Sequence, residues 1–129
     1  MAIVTISGTN TPIARGVIRT VWAFTASNTS GSWGTPLSAP HLPDKTVTLR
    51  GPWVSGVTIL IQGSNTATYS TGTSKWFTLN DPSSTALSFV TGRVEAILEN
   101  PYWIRPFISA RTGTAGTPTV EIISQSTKR

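Results

Sequence analysis

Few residues in this sequence could do chemistry, and they are widely spaced. His41 is the one histidine, it lies between Pro40 and Leu42, and the chain contains no cysteine. A zinc site would therefore need carboxylates as its other ligands, and apart from Asp44 none lies near His41 in sequence. His41 could join Asp44 or Asp81 and one of the serines in a catalytic triad, but no Gly-x-Ser-x-Gly motif is present. We therefore expect no metal site and no catalytic triad.

Glu95 and Glu99 are the acidic residues whose spacing invites a catalytic interpretation. They are four residues apart and would share one face of a strand or of a helix. A glycosidase pair needs a defined separation and a raised pKa on one carboxyl group. We favour the simpler interpretation of two solvated charges beside a corner of the chain. No glycine-rich loop precedes a Lys-Ser or Lys-Thr, so we expect no phosphate binding by a P-loop. Taken together, these observations predict a protein that is not an enzyme and has no cofactor.

Aromatic residues are the remaining candidates for a functional surface, and five of them are tryptophans. Trp76 and Phe89 are our candidates for the core. Trp33 and Trp53 lie beside glycine and proline in predicted loops, where large apolar rings mark contact surfaces. Two interpretations stay open for these two rings: stacking on sugars in a carbohydrate-binding sandwich, or anchoring contacts in an assembly.

The charge of the chain bears on its partners. Ten basic and five acidic residues give a net charge of +5, although only 12% of the residues are charged. A nucleic-acid-binding protein clusters its basic residues on one element or interleaves them with stacking aromatics. Here the basic residues are dispersed, so we do not expect nucleic acid as the main partner.

The length of 129 residues is that of one ordinary domain. We expect residues 1–45 to supply N-terminal strands and an arm of that domain, residues 46–124 its core, and residues 125–129 a basic tail. No apolar run approaches the roughly 18 residues that span a bilayer, so no membrane is expected as a partner. The lack of cysteine and of an N-terminal apolar segment argues against a secreted, disulfide-built module.

Short β-strands are the elements that must position these residues. Abundant threonine and serine favour strands and turns over helix interiors. Strands are predicted at residues 2–7, 18–26, 86–90, 94–98, 102–111 and 119–124, besides those of the central stretch. The pattern predicts an all-β fold, a single antiparallel β-sandwich or jelly roll of about seven or eight strands with an extended N-terminal arm or loop.

The central stretch, residues 46–79, is the part around which the chain is organised. Val57, Ile59 and Ile61 alternate with more polar residues and predict one buried face, and Val47 and Leu49 alternate in the same way. We predict that these two runs form a β-hairpin with its tip at residues 51–53. The aromatic run that ends at residue 79 is predicted to return as a third strand.

The long segment of residues 27–44 is rich in proline and glycine. Prolines bias it toward extended conformations, and a loop of this length is usually functional. It is either an arm laid across a neighbouring surface or a surface loop that caps one end of the sandwich. Our candidates for interface residues are Trp22, Phe24, Trp33, Pro36, Pro40, Pro43 and Trp53.

Pro106 lies in the middle of the strand predicted at residues 102–111. Proline cannot donate a hydrogen bond to a β-ladder. We therefore predict that this strand is an edge strand, carries a bulge or is divided at Pro106.

Two motifs resemble the small β-sandwich structural proteins of tailed-phage virions. The first is SGVTILIQGSN at residues 55–65, followed by WFTL at residues 76–79, and the second is VEAILENPYWIRP at residues 94–106. The positions that carry the resemblance are Gly63, Ser64, Asn65, Trp76, Asn100, Pro101, Arg105 and Pro106. The likeness covers residues 46–123. The first motif also resembles the discoidin-type sugar-binding sandwich, from which the chain departs by lacking Asp-Gly after Ser-Asn and by a longer interval to Trp76.

The resemblance implies a head decoration or cement protein that is made in the host cytoplasm and sits on the capsid surface. Its partners would be the major capsid protein and further copies of itself, most simply in a trimer. The alternatives are a carbohydrate-binding module of a tail or fibre, and a fitting at the neck between head and tail.

Overall fold

Strands make up the regular secondary structure of the computed structural model, which describes residues 5–6, 8–25, 28–51, 56–66, 75–112 and 117–126. Within these ranges there is no α-helix, and so none that could cross a membrane. The strands are β1 (Thr5–Ile6), β2 (Thr9–Ala14), β3 (Val17–Ala23), β4 (Trp33–Gly34), β5 (Asp44–Arg50), β6 (Val57–Ser64), β7 (Phe77–Thr78), β8 (Ser88–Phe89), β9 (Arg93–Ala96), β10 (Trp103–Arg111) and β11 (Thr119–Gln125).

The strands form two sheets that pack face to face. The first sheet has the order β1-β4-β10-β6-β7. β8 pairs with the same side of β6 as β7, at Ile59 and Leu60 instead of Gln62 and Gly63. The second sheet has the order β2-β3-β11-β5-β9. Every pair is antiparallel except β1–β4. The predicted fold class is therefore confirmed, and the strand number exceeds the prediction because four strands have only two residues each.

The core lies between the two sheets and follows the two-residue period of the strands. Val57, Ile59 and Ile61 of β6 are at most 1% exposed, as their alternation predicted. The second sheet contributes Trp22, Val47, Leu49, Val120 and Ile122, which are also buried. Burial of apolar surface of this kind contributes ~25 cal/mol per Å² and is the main term that holds the two sheets together.

The predicted hairpin of the central stretch is wrong. β5 lies in the second sheet, where it pairs with β11 and β9, whereas β6 lies in the first sheet, where it pairs with β10. After β5 the chain crosses from the second sheet to the first. Both strands bury one face against the core that the two sheets share. Alternation identified which face of each strand is buried, but it carries no information on which strand lies beside it. The return strand is confirmed, since β7 pairs with β6 through Gln62 and Thr78.

The proline-rich segment packs along β10 of its own sheet. Leu37 and Ile104 exchange both backbone hydrogen bonds, with N···O distances of 2.7 and 2.9 Å, and Trp33 of β4 pairs with Phe107. The side chains of Leu37, Ala39 and Leu42 are buried in the core. Within the described residues the segment is thus part of the sandwich, which corrects the interpretation of an extended arm free to cross a neighbouring surface.

Pro106 occupies a place in β10 where no donor is required. Toward β6, the register of β10 runs without a break through Pro106. On the other side, Ile104 bonds Leu37 and Ile108 bonds Ser32, so Pro106 faces the proline-rich segment between these two bonds. The ladder is interrupted on that side only, and the register shift falls later, between Ile108 and Ala110. The prediction of an edge strand is therefore wrong, and so are those of a bulge at Pro106 itself and of a strand divided there, because β10 is continuous from Trp103 to Arg111.

Candidate functional site

A groove of about 330 Å³ opens at one end of the first sheet. Its lining residues come from the end of β6, from β7 and from the segment that leads from β9 to β10, and they are Gly63, Ser64, Asn65, Phe77, Leu79, Glu99, Asn100 and Pro101. The two sequence motifs, 63–65 and 99–101, therefore meet at one place. This groove is the candidate functional site of the described part of the chain.

Gly63 and Asn65 bring the two motifs together. A Cβ atom at position 63 would lie 2.5 Å from Pro101 Cγ and 2.7 Å from Leu79 Cδ2, so only glycine fits there without displacing its neighbours. The side-chain carbonyl of Asn65 accepts a hydrogen bond of 2.9 Å from the backbone N–H of Tyr102. The first motif thus holds the segment that follows the second motif in place.

Glu99 is an ionised carboxylate that holds the turn at Asn80. The backbone N–H of Asn80 donates to Oε1 at 2.8 Å, and the Asn80 side-chain amide donates to Oε2 at 2.7 Å. Burial acts to raise the pKa of Glu99, but the hydrogen bonds from Asn80 outweigh it and the pKa lies below its ordinary value. Glu99 is therefore unsuited to act as a general acid at neutral pH.

Lys45 fixes the proline-rich segment from the inside. Its ammonium group donates to the carbonyl oxygens of Ala39 at 2.9 Å and Leu42 at 2.8 Å, and to the side-chain oxygen of Asn100 at 2.6 Å. Three acceptors match the three donors of the group. Burial lowers the pKa of Lys45 to about 8. Asn100 also donates to the carbonyl oxygen of Pro40 at 2.9 Å, so both ends of its amide are used inside the protein.

The groove offers an aromatic ring and a few polar atoms rather than a reactive pair. Phe77 is 69% exposed. Asn65 is exposed and uses its oxygen for Tyr102, and its amide N–H groups have no hydrogen-bond partner among the described residues. Glu99 retains acceptor capacity beyond its two bonds to Asn80, because a carboxylate has about four lone-pair positions. Such a site can bind through stacking and hydrogen bonds.

A second cluster surrounds Arg105 on the outer face of the first sheet. The guanidinium carbon lies 4.1 Å from the ring centre of Trp76, 5.0 Å from that of Trp33 and 5.4 Å from that of Phe107. Its Nε donates to Gln62 Oε1 at 3.0 Å. Arg105 itself is 0% exposed. This cation–π cluster joins three strands and the residue before β7, and it explains why these aromatic residues lie outside the core between the sheets.

The predicted interface residues have different surroundings. Trp33 is half-buried against Arg105, Pro36 is half-buried, and Pro40 and Pro43 are exposed. Trp53 lies outside the described residues. Trp22 and Phe24 are 0% and 1% exposed, which corrects their assignment to an interface.

Trp22 instead fills a slot between two glycines. A Cβ atom at Gly8 or Gly34 would approach its indole ring to 2.7 or 2.4 Å, and its N–H donates to the Thr35 carbonyl at 2.9 Å. The inward face of an alternating strand was the signal that should have placed this ring in the core.

The residues weighed for catalysis have other partners or are exposed. Glu95 pairs with Arg93 at 3.0 Å and Glu99 with Asn80, and His41 is exposed. Within the described ranges no three residues of types that bind metals lie close enough to hold an ion. Of the predicted core rings, Phe89 lies between the sheets, whereas Trp76 is buried in the Arg105 cluster.

Sequence reasoning missed Lys45, Gln62 and Phe77. Lys45 could have been found, since it shares the inward face of its strand with Val47 and Leu49, and a lysine at such a position must have buried partners. Gln62 gave no comparable signal, because its partner Arg105 comes from a distant strand, and the exposure of Phe77 depends on the packing of the sheet.

Comparisons with known proteins concern the fold. No protein-family model matches the chain, and no curated protein matches it in sequence. The chain is similar to the SPBc2 prophage-derived protein YomS, with a TM-score of 0.58 and 17% identity over 85% of this chain and 95% of that chain. A cupin domain from Bordetella pertussis Tohama I gives a TM-score of 0.48 and 14% identity over 98% and 99% of the two chains. The first likeness shows a shared fold, and the second is too distant to support an argument.

Proposed function

We propose that the protein is a structural component of a tailed-phage virion, and more narrowly a head decoration protein that binds the major capsid protein on the capsid surface. The observation that carries the proposal is the fold, which is similar to that of a prophage-derived protein over 95% of that protein's length. The resemblance of residues 46–123 to virion sandwiches points in the same direction.

The surface of the sandwich suits a protein that acts by contact. Large apolar side chains are exposed at its rims, namely Ile13, Phe77, Val90, Val94, Leu98 and Tyr102. Exposed apolar side chains on a chain of net charge +5 favour a partner surface that is apolar and acidic. The polar side chains of the groove mainly hold loops together, which leaves binding as the activity that its geometry supports.

A decoration protein stabilises a shell through differential binding. A ligand that binds the assembled lattice and not the free subunits shifts the equilibrium toward the lattice by its binding free energy. Many copies, each with modest affinity, therefore raise the resistance of the whole particle to heat.

Binding to empty, expanded capsids tests this proposal. Purified protein is expected to co-sediment with capsids that lack it and to raise the temperature at which filled particles release DNA. Pro40 and Pro43 are exposed and can be replaced together by alanine, with Pro82→Ala in an exposed turn as the matched control. Weaker capsid binding by the Pro40/Pro43 variant would place the contact on the proline-rich segment. Capsids that are equally resistant to heat with and without the protein would refute the proposal.

Carbohydrate binding is a second candidate, and the groove is the observation that favours it. The exposed ring of Phe77 can stack on a sugar face, while the Asn65 amide can donate to one hydroxyl group and the Glu99 carboxylate can accept from another. A glycan array tests this candidate. Phe77→Ser should abolish retention, whereas Tyr102→Ser, at an exposed aromatic residue that does not line the groove, should not. If no glycan retains the protein, this candidate is refuted.

A further inference from the structure

β9 is an edge strand of the second sheet, and one side of its backbone has no partner in the described part of the chain. The odd-numbered residues direct their backbone N–H and C=O groups toward β5, as the bond of 3.0 Å from Ile97 N–H to the Lys45 carbonyl shows. In an antiparallel pair, the alternate residues direct their N–H and C=O groups the other way. Val94 and Ala96 therefore present theirs to the outside, and this open stretch ends where Leu98 N–H bonds Asn80 at 2.8 Å.

The side chains along this edge add an apolar surface. Val94 is 59% exposed, and Val90 and Leu98 on either side of the strand are 63% and 52% exposed. Proteins protect an exposed edge by keeping the strand short, or with charged side chains, proline, a bulge or a covering loop. β9 has only four residues and carries the charges of Arg93 and Glu95. β9 contains no proline, and its register with β5 shows no shift.

The charges of β9 are complementary to a reversed copy of the same strand. Its sequence is Arg93-Val94-Glu95-Ala96, with one positive and one negative residue on the same face, two positions apart. Within one chain Arg93 Nε and Glu95 Oε2 are 3.0 Å apart, so both side chains extend along the same rim. They are 40% and 30% exposed and accessible to a second molecule.

We propose that two copies of this chain associate by antiparallel pairing of β9 with β9 of the second copy, with Val94 opposite Val94 at a two-fold axis. In this register the outward backbone groups of the two Val94 residues bond each other. Each Arg93 lies opposite Glu95 of the other copy, in the closer, non-hydrogen-bonded type of pair. Ala96 lies opposite Gly92. The two five-stranded sheets become one sheet that runs through both copies.

The charges select this register over its neighbour. A shift that places Val94 opposite Ala96 would also pair the outward backbone groups, but it would put the two Glu95 carboxylates directly opposite each other. Like charges directly opposite are destabilising, whereas the proposed register makes two ion pairs. The interface is isologous, so it closes as a dimer, in place of the trimer that the sequence resemblance implies. It is independent of the capsid proposal.

The mass of the protein in solution is the first test. Light scattering or sedimentation equilibrium should give twice the chain mass of 13.7 kDa, with dissociation on dilution. Ala96→Pro removes an outward N–H that the second sheet does not use, and it should give a monomer of unchanged circular dichroism. A native protein that is a monomer at every concentration, or a trimer, would overturn the proposal.

A mixing experiment tests the register. Arg93→Glu alone and Glu95→Arg alone each place like charges opposite each other in the proposed dimer, so each variant should be a monomer. Mixed together, they should form a heterodimer, because every 93–95 contact then joins opposite charges. Glu95→Arg loses a partly exposed intrachain ion pair, and Arg93→Glu also loses the contact of its guanidinium group with the Phe89 ring at 4.8 Å. Circular dichroism should therefore confirm that each variant is folded before its mass is measured. If the single variants remain dimers, or if Glu95→Gln strengthens the dimer, the proposed interface is wrong.

Discussion

The ammonium group of Lys45 makes the stability of this fold depend on pH in an unusual direction. It lies at the inner face of β5, and burial lowers its pKa from an ordinary 10.5 to about 8. Below pH 8 both the folded and the unfolded chain hold the proton, so the cost of burying the charge is present in full. Between pH 8 and 10.5 the folded chain releases the proton while the unfolded chain keeps it, so the free energy of unfolding rises with pH.

The size of this effect follows from the two pKa values. The interval from 10.5 to about 8 corresponds to about 3 kcal/mol, because each pH unit is worth ~1.4 kcal/mol. The three oxygens around the group act in the opposite direction, since Ala39, Leu42 and Asn100 all accept from the charged form. The prediction is therefore that burial outweighs these three hydrogen bonds.

Urea denaturation across this pH range measures the balance. The native protein is compared with Lys45→Met, which keeps most of the buried volume but does not titrate. Contributions from the other lysines and the tyrosines are common to both proteins and cancel in the difference. We expect the native protein to gain about 3 kcal/mol relative to the variant between pH 8 and 10.5. A difference that stays constant, or that shrinks as the pH rises, would show that the three acceptors hold the proton and that our reasoning is wrong.

Three further changes test other parts of the fold. Gly34→Ala should cost about 2–3 kcal/mol in urea denaturation, since its Cβ would lie 2.4 Å from a buried indole carbon of Trp22; a cost below about 0.5 kcal/mol would show that the ring can move. Because the pKa of Glu99 is lowered, the stability that Glu99 contributes should be lost as the pH falls through its folded-state pKa. Glu99→Gln should abolish that part of the acid sensitivity. An unchanged acid transition would contradict the assignment. Arg105→Lys should lower the free energy of unfolding by about 1–2 kcal/mol and shift the tryptophan fluorescence, because lysine lacks the planar group that stacks on Trp76 and Trp33. An unchanged spectrum would count against the cluster.

The sequence predicted the class of the fold well because alternation is a local signal. The buried faces of β5 and β6 follow directly from valine and isoleucine at every second position. Alternation does not predict which strands pair, since β5 and β6 follow each other in sequence yet belong to opposite sheets. That choice depends on how the two sheets share one core, and no property of either strand alone contains it.

The candidate site could be predicted only in part, and for a related reason. The motifs at residues 63–65 and 99–101 were recognisable, but their meeting in one groove depends on β6 and β10 being neighbours. The strand predicted at residues 18–26 is strongly aromatic, which suggests an interface for Trp22 and Phe24, although the same alternation also suits the inward face of a buried strand. Composition identifies aromatic residues, and only the packing decides whether they face the core or a partner.

The hydrogen bonds that the two motifs make within the fold change where function should be sought. Asn65 and Asn100 carry the sequence resemblance, and in the fold the oxygen of Asn65 and both ends of the Asn100 amide bond the protein itself. A side chain that already satisfies its own loops contributes little new binding energy, because a ligand would have to replace those bonds. Phe77 in the groove and Val94 on the β9 edge lie within the two motifs but are not among the positions that carry the resemblance, and both are largely exposed. In this chain the positions that carry the resemblance therefore hold the scaffold together, and we expect contacts with partners to involve exposed positions beside them.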